Sequence, residues 1–274
     1  MSPDIWLTRQ LLCAKFRAEK RKEMVILAEI MPHIRLSHSQ AAPYALLPGD
    51  PARLDRIAPY LSEVQELAYN REYRSIKGLY HGVPVMAVST GIGGASAAIA
   101  VEELSRIGVR GMIRIGSCGA LKKGIGLGDL ILVNGAVRDD GASSSYVDSK
   151  YPAIPDTGLL IDCMESAKAL GARTHVGIAR SHDSFYIDQE EEICAYWAGK
   201  GVLGSDMETA AVFVTGGLRG VKTASILNTV VEYQDELSEQ INSYTDGESA
   251  MMRGEQMEIL TALEAFVRMN QSGS

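Results

Sequence analysis

The chain has little cysteine and no pattern for pairing it: Cys13, Cys118, Cys163 and Cys194 are scattered through 274 residues without a Cys-x-x-Cys. A disulfide framework is therefore excluded, and a reducing cytoplasm is the expected compartment. Basic charge is also short, since 27 Lys and Arg against 34 Asp and Glu leave a net charge of −7. Proteins that hold nucleic acid polymers draw affinity from basic residues on phosphates, so no such partner is expected. No apolar run approaches the ~20 residues that cross a bilayer, and no membrane partner is expected either. With 46% apolar residues the chain is not disordered. What remains is a globular protein, with length for one large α/β domain or two small ones, most simply an enzyme of small molecules.

Residues 1–32 stand apart. The stretch from Lys15 to Glu23 is charged, and Val25-Ile26-Leu27-Ala28 is shorter than the ~7–15 apolar residues of a secretory signal. Asp4, Glu19, Glu23 and Glu29 argue against an organellar transit peptide. An amphipathic helical extension is expected here, with a flexible tail as the alternative.

From there strand and helix signals alternate. Tyr44–Leu47 is an apolar run stopped by Pro48-Gly49-Asp50-Pro51, and the strand from Val83 to Thr90 runs into Gly91-Ile92-Gly93-Gly94. Ala97, Ala100, Val101, Leu104 and Ile107 then share a helical face. Strands are expected at residues 111–115, 130–137, 175–179 and 221–227, and helices over 159–170, from about Gln189, and over 251–269. No Ser/Pro-rich linker interrupts the pattern, so residues 33–274 read as a single α/β domain with a mixed central sheet flanked by helices.

The chemistry-bearing residues stand where strands end. The Gly91–Gly94 turn can present backbone N–H groups to an anion, or simply pack a helix tightly on a strand. It is no dinucleotide fingerprint, because Ser96 fills the place of the last glycine in G-x-G-x-x-G. Gly49 and Arg53 carry the same two readings. Arg114 lies inside the apolar strand Gly111–Gly116, ahead of a Ser117-Cys118-Gly119 loop. A buried arginine needs an anion, and either a structural carboxylate or a phosphate satisfies it. Asp206 and Glu208 suit a helix N-terminus, or a carboxylate gripping two ribose hydroxyls. Phe185 and Tyr186 can stack on a base or fill the core. No metal-ligand spacing and no Ser/His/Asp arrangement is evident.

Taken in order, Leu47-Pro48-Gly49-Asp50-Pro51-Ala52-Arg53, Arg71-Glu72-Tyr73, Ser89–Gly94, Val101–Leu104, Arg114–Gly119, Gly128-Asp129, Arg138, Asp140–Ser143, Asp183–Tyr186 and Met207-Glu208 resemble the uridine phosphorylase branch of the nucleoside phosphorylase superfamily. The likeness runs from about His33 to the C-terminal helix. It implies phosphorolysis of a nucleoside, with inorganic phosphate as co-substrate and no resident organic cofactor. The phosphate site it implies is Gly49, Arg53, Arg71, Arg114 and Ser117, with Arg53, Arg114 and Glu208 as the catalytic set. Nucleoside contacts would come from His33, Cys118, Gly119, Phe185, Gln189, Glu191, Asp206, Met207 and Glu208. Arg71 and His33 would cross from a neighbouring subunit of a hexamer built from dimers. Glu72, Ile92 and Ser96 match positions that in some relatives hold a monovalent cation, such as potassium, at the dimer interface.

The base-reading positions depart from the branch. Uridine phosphorylases typically follow the glutamine by an arginine two residues later, and carry another arginine on the late strand; here these positions are Glu191 and Thr229. Asp206 stands for a more usual glutamate, and the segment from Gln189 to Gly204 is short. A carboxylate near a uracil oxygen repels developing negative charge, whereas it accepts hydrogen bonds from an amino group. Uridine is the leading substrate by resemblance. A purine or atypical nucleoside, or a catalytically weakened nucleoside-binding paralogue, are the alternatives.

Overall fold

The computed structural model describes residues 29–233 and 249–272. The expected helical extension over residues 1–32 therefore lies outside the described residues except for its last four, which are not helical.

Nine strands form one mixed sheet: β1 (Tyr44–Pro48), β2 (Ser62–Asn70), β3 (Tyr73–Tyr80), β4 (Val83–Val88), β5 (Gly111–Ala120), β6 (Leu130–Asp139), β7 (Thr174–His182), β8 (Gly204–Asp206) and β9 (Lys222–Val231). Their order is β2-β3-β4-β1-β5-β8-β7-β6-β9, and β9 also pairs with β5. The second half of the sheet thus closes into a ring. β5 is the shared stave: residues Gly111–Ile115 lie parallel to β1, its far end pairs with β8, and β9 runs parallel along its other edge.

The helices are α1 (Arg53–Ile57), α2 (Gly94–Arg106), α3 (Gly141–Tyr146), α4 (Thr157–Leu170), α5 (Glu190–Ala198), α6 (Thr209–Leu218) and α7 (Ser249–Ser272). They cover both faces, which is why β1, most of β4 and the inner length of β9 are buried on both sides. One core layer joins α2 and α6 to the sheet through Val101, Leu104, Met112 and Phe213. The other joins α4 and α7 through Leu46, Ile113, Cys163 and Phe266. Local chemistry sets the helix ends: Asp156 accepts from the Leu159 amide at 2.9 Å to start α4, and Gly171 ends it with φ 71°.

Two expectations need correction. The Ser117-Cys118-Gly119 stretch is not a loop but a continuation of β5, held by β8 and β9. The antiparallel β2–β3 pair was not expected at all, because β2 (SEVQELAYN) is polar and exposed on the sheet edge and carries no apolar alternation.

Candidate active site

The site grows from the C-terminal ends of β1, β4 and β5. The turns after β1 and β4 lie against each other, with the Gly91 amide donating to the Gly49 carbonyl at 2.9 Å. A Cβ on Gly49 would stand 3.2 Å from the Gly91 carbonyl oxygen, so a side chain there would push the turns apart. Gly93 adopts φ 98°, a conformation that L side chains rarely take, and its amide donates to a Glu208 carboxylate oxygen.

Arg114 is the centre. Its Nε donates to Asp206 at 2.8 Å, and its Nη2 pairs with Glu208. All three side chains are buried. Gly116 makes room, since a Cβ there would stand 2.5 Å from Arg114 Nη2. In this structure two carboxylates satisfy the Arg114 guanidinium. Coulombic attraction from Glu208 and Asp206 outweighs burial and holds the Arg114 guanidinium protonated. Burial pushes the Glu208 carboxyl above the usual range even so.

Asp206 does more than pair with Arg114. Its other oxygen accepts from Ser181 Oγ at 2.6 Å, and Oδ2 also accepts from the Thr209 amide and hydroxyl at 3.0 and 2.6 Å. It caps α6 and has its acceptor capacity filled by protein, so it is an anchor for Arg114 rather than a free arm toward a sugar. Met207 is half-buried beside it.

Arg53 is likewise buried. Its Nη1 donates to the Ile115 carbonyl at 3.1 Å and faces Glu258 at 3.4 Å, its Nε pairs with Glu255 at 3.1 Å, and its Nη2 lies 3.4 Å from Ser117 Oγ. Sequence reasoning missed Glu255 and Glu258 entirely, because on an amphipathic C-terminal helix charged residues read as its solvent face.

β5 sorts its residues by the period of a strand. Ser117 and Gly119 are half-buried on the open side, while Cys118 is buried, its Sγ 3.9 Å from Thr229 Oγ1. The Cys118 side chain is thus packed against Thr229 and is not on the wall of the cavity beside Gly119, and burial raises its thiol pKa. Thr229 is fully buried as well.

Beside Gly119 opens a cavity of about 500 Å³. Its walls include Phe185, His182, Glu190, Glu191, Val231 and Glu232, with no arginine or lysine among the described residues that line it. Phe185 packs edge-on against Tyr186, which is 89% exposed. Gln189 and Glu191 were both expected on this wall; Glu191 lines it together with Glu190, whereas Gln189 is an exposed residue at the head of α5. Glu190 is held from behind by the buried Arg180 at 2.7 Å, which also pairs with Asp139 at 2.8 Å. His182, Glu190, Arg180 and Glu232 had no signal in the sequence strong enough to select them.

The remaining expected residues gather elsewhere. Arg71 sits at the exposed tip of the β2–β3 turn with φ 57°, and makes no ion pair among the described residues. The neighbouring Asn70 donates to the His33 carbonyl at 2.8 Å, and His33 Nδ1 contacts Glu103 at 2.6 Å. Glu72 and Ser96 both pack against Gly91, and Ser96 Oγ donates to the Ile92 carbonyl at 3.3 Å. Arg71, His33, Glu72, Ile92 and Ser96 therefore form one outer edge, separate from the Arg53–Arg114 network.

The chain is similar to known proteins over most of its length. The family model of the phosphorylase superfamily matches residues 43–264. The chain is 36% identical to the uridine phosphorylase of Thermococcus kodakarensis over 240 residues, which cover 83% of this chain and 86% of that protein. It is 38% identical to the guanosine phosphorylase of Halorubrum lacusprofundi, over 71% of this chain and 80% of that one. The crystal structure of the Vibrio fischeri uridine phosphorylase superposes with a TM-score of 0.82 at 44% identity, covering 88% of this chain and 98% of that one. The chain belongs to the nucleoside phosphorylase superfamily, in its uridine phosphorylase-like branch.

Proposed function

We propose that this chain cleaves nucleosides with inorganic phosphate, releasing the free base and ribose 1-phosphate, with uridine as the leading substrate. The observation that carries the proposal is the gathering of Arg53, Arg114 and Ser117 along β5, beside a cavity of about 500 Å³ that Gly119 and Phe185 help to line.

Breaking an N-glycosidic bond develops positive charge on the ribose and negative charge on the base. A phosphate dianion held below the sugar by two guanidiniums, the Ser117 hydroxyl and the backbone near Gly49 stabilises that cation. A phosphate oxygen then forms the new bond to the anomeric carbon as the base departs with the glycosidic electron pair. Glu208, already placed by the Gly93 amide and Arg114, would accept hydrogen bonds from ribose hydroxyls and fix the sugar over the nucleophile. Phe185 and Gly119 would flank the base.

Arg71 and His33 fit a role in trans. Both lie on the outer edge with the exposed Tyr69 and Ile92, at 66% and 81%, which supports self-association through that edge. A dimer there, and a hexamer of such dimers, would bring the partner's Arg71 to the phosphate. Glu72, Ser96 and the Ile92 carbonyl offer the oxygen donors that a potassium ion takes, half of a set that a two-fold axis would complete. A cytoplasmic enzyme is the matching compartment.

The acidic cavity wall favours a second reading for the base. Glu190, Glu191 and Glu232 accept hydrogen bonds and would suit a base carrying an amino group, such as guanine. A nucleoside panel decides: purified protein is given uridine, guanosine, inosine and cytidine with and without phosphate, and base and ribose 1-phosphate are quantified. Cleavage that proceeds equally without phosphate refutes phosphorolysis, and binding without turnover identifies a weakened paralogue.

A further inference from the structure

Glu258 is fully buried in the middle of α7. One carboxylate oxygen accepts from the Gly116 amide on β5, and the other faces Arg53 Nη1 at 3.4 Å. One turn earlier on the same helix, Glu255 takes Arg53 Nε at 3.1 Å and also pairs with Arg56. The guanidinium of Arg53 is thus gripped along its back by two carboxylates at i and i+3, leaving Nη2 directed at Ser117. Among the described residues, the charged and titratable groups facing Glu258 are Arg53 from α1, Arg114 and Cys118 from β5, and Glu255 from its own helix.

Charge makes this arrangement more than scaffolding. Among the described residues, Arg53, Arg56 and Arg114 face Glu255, Glu258, Asp206 and Glu208, three guanidiniums to four carboxyls, so with all four acids ionised these groups sum to a negative charge before any phosphate arrives. A dianion entering such a cluster is repelled unless one carboxyl becomes neutral.

We propose that Glu258 is a positioning residue for phosphate: it aims Arg53 at the Ser117 side, and it takes up a proton from solvent as the dianion binds. This rests on Arg53 being a phosphate ligand. Burial supports it, pushing the Glu258 carboxyl up to about 8 and thus within reach of exchange near neutral pH. The proton neutralises one of the two carboxylates that grip Arg53, so the guanidinium's charge is released toward the incoming anion, while the Gly116 amide keeps the carboxyl in place.

The test titrates the full-length protein with inorganic phosphate at about pH 8, where phosphate is already mostly dianion. Isothermal calorimetry in two buffers of different ionisation enthalpy counts the protons exchanged. Wild type should take up about half a proton per phosphate, and E258Q should take up close to none. In steady state, the KM for phosphate of wild type should climb from about pH 7 to 9, and E258Q should flatten that climb. E258A, which loses the carboxyl's hold on Arg53, should raise phosphate KM about tenfold throughout, with nucleoside KM little changed. Wild type that binds phosphate without proton uptake overturns the inference alone, even if no variant folds. Equal proton uptake by wild type and E258Q overturns it too. Wild type that binds no phosphate overturns the phosphorylase reading and this inference with it.

Discussion

Arg114 Nε and Asp206 Oδ2 meet across 2.8 Å in the closed interior, joining the middle of β5 to the last residue of β8. That contact ties the predicted phosphate-binding guanidinium to the residue that caps α6, so the helix carrying Glu208 at its head and the arginine of the strand are placed together. Replacing Asp206 by alanine would leave Arg114 short of a partner and the Thr209 amide uncapped. The expected loss is about 3–5 kcal/mol of stability, read as a lower midpoint in urea or heat. Asp206→Asn, which keeps the shape, should fall between.

Glu208→Ala should leave binding of inorganic phosphate measurable while lowering kcat for nucleosides about a hundredfold or more, since the sugar loses its hold. Equal kcat in wild type and variant would refute Glu208 as the ribose ligand.

Arg71→Ala should not change thermal stability beyond about 0.5 kcal/mol, because the residue is exposed and unpaired among the described residues. If it serves a neighbouring copy, R71A and E208A homo-oligomers should each be inactive, but co-assembled they should regain activity in about a quarter of their sites. Absence of any regain would place Arg71 outside the site.

Stability should depend on pH through Glu258. Its carboxyl is raised to about 8 in the folded protein, so folding favours the protonated form. The stability that this proton contributes is full below the ordinary glutamate range and is lost as pH rises through about 8, at no more than ~1.4 kcal/mol per pH unit. Melting curves should therefore show E258Q gaining on wild type as pH increases, with the two closest near pH 4.

Base preference should move with Glu191. An arginine there restores the cation of the uridine-specific pattern on an exposed helix turn, and E191R should raise the ratio of uridine to guanosine kcat/KM by about tenfold. The matching change at Thr229 is a poor test. That residue is buried against Cys118, and an arginine would overpack the core and leave a charge without water.

Much of this molecule was legible from residues alone. β1, β4, α2, α4 and α7 announce themselves by apolar runs and helical spacing, Gly49 and Gly93 stand out at strand ends, and Arg114 stands out inside an apolar strand. What could not be read was pairing over distance. Arg53 and Glu258 are 205 positions apart, and neither spacing nor composition says that a glutamate on a terminal helix will turn inward. The ring closure of β9 on β5 is invisible for the same reason. Asp206 showed the converse: two carboxylates two residues apart share a motif, yet three-dimensional contacts give one of them to α6 and leave the other for the site.

The ring has a consequence for how the protein comes into being. β5 closes only when β9, made more than a hundred residues later, docks along it, and Arg53 is secured only when α7 follows. Contacts between such distant parts of a chain form slowly. During synthesis the arginines of the site are therefore made early but organised late, after nearly the whole chain has left the ribosome. A product cut short before α7 would keep most of its sheet and lack a finished active site.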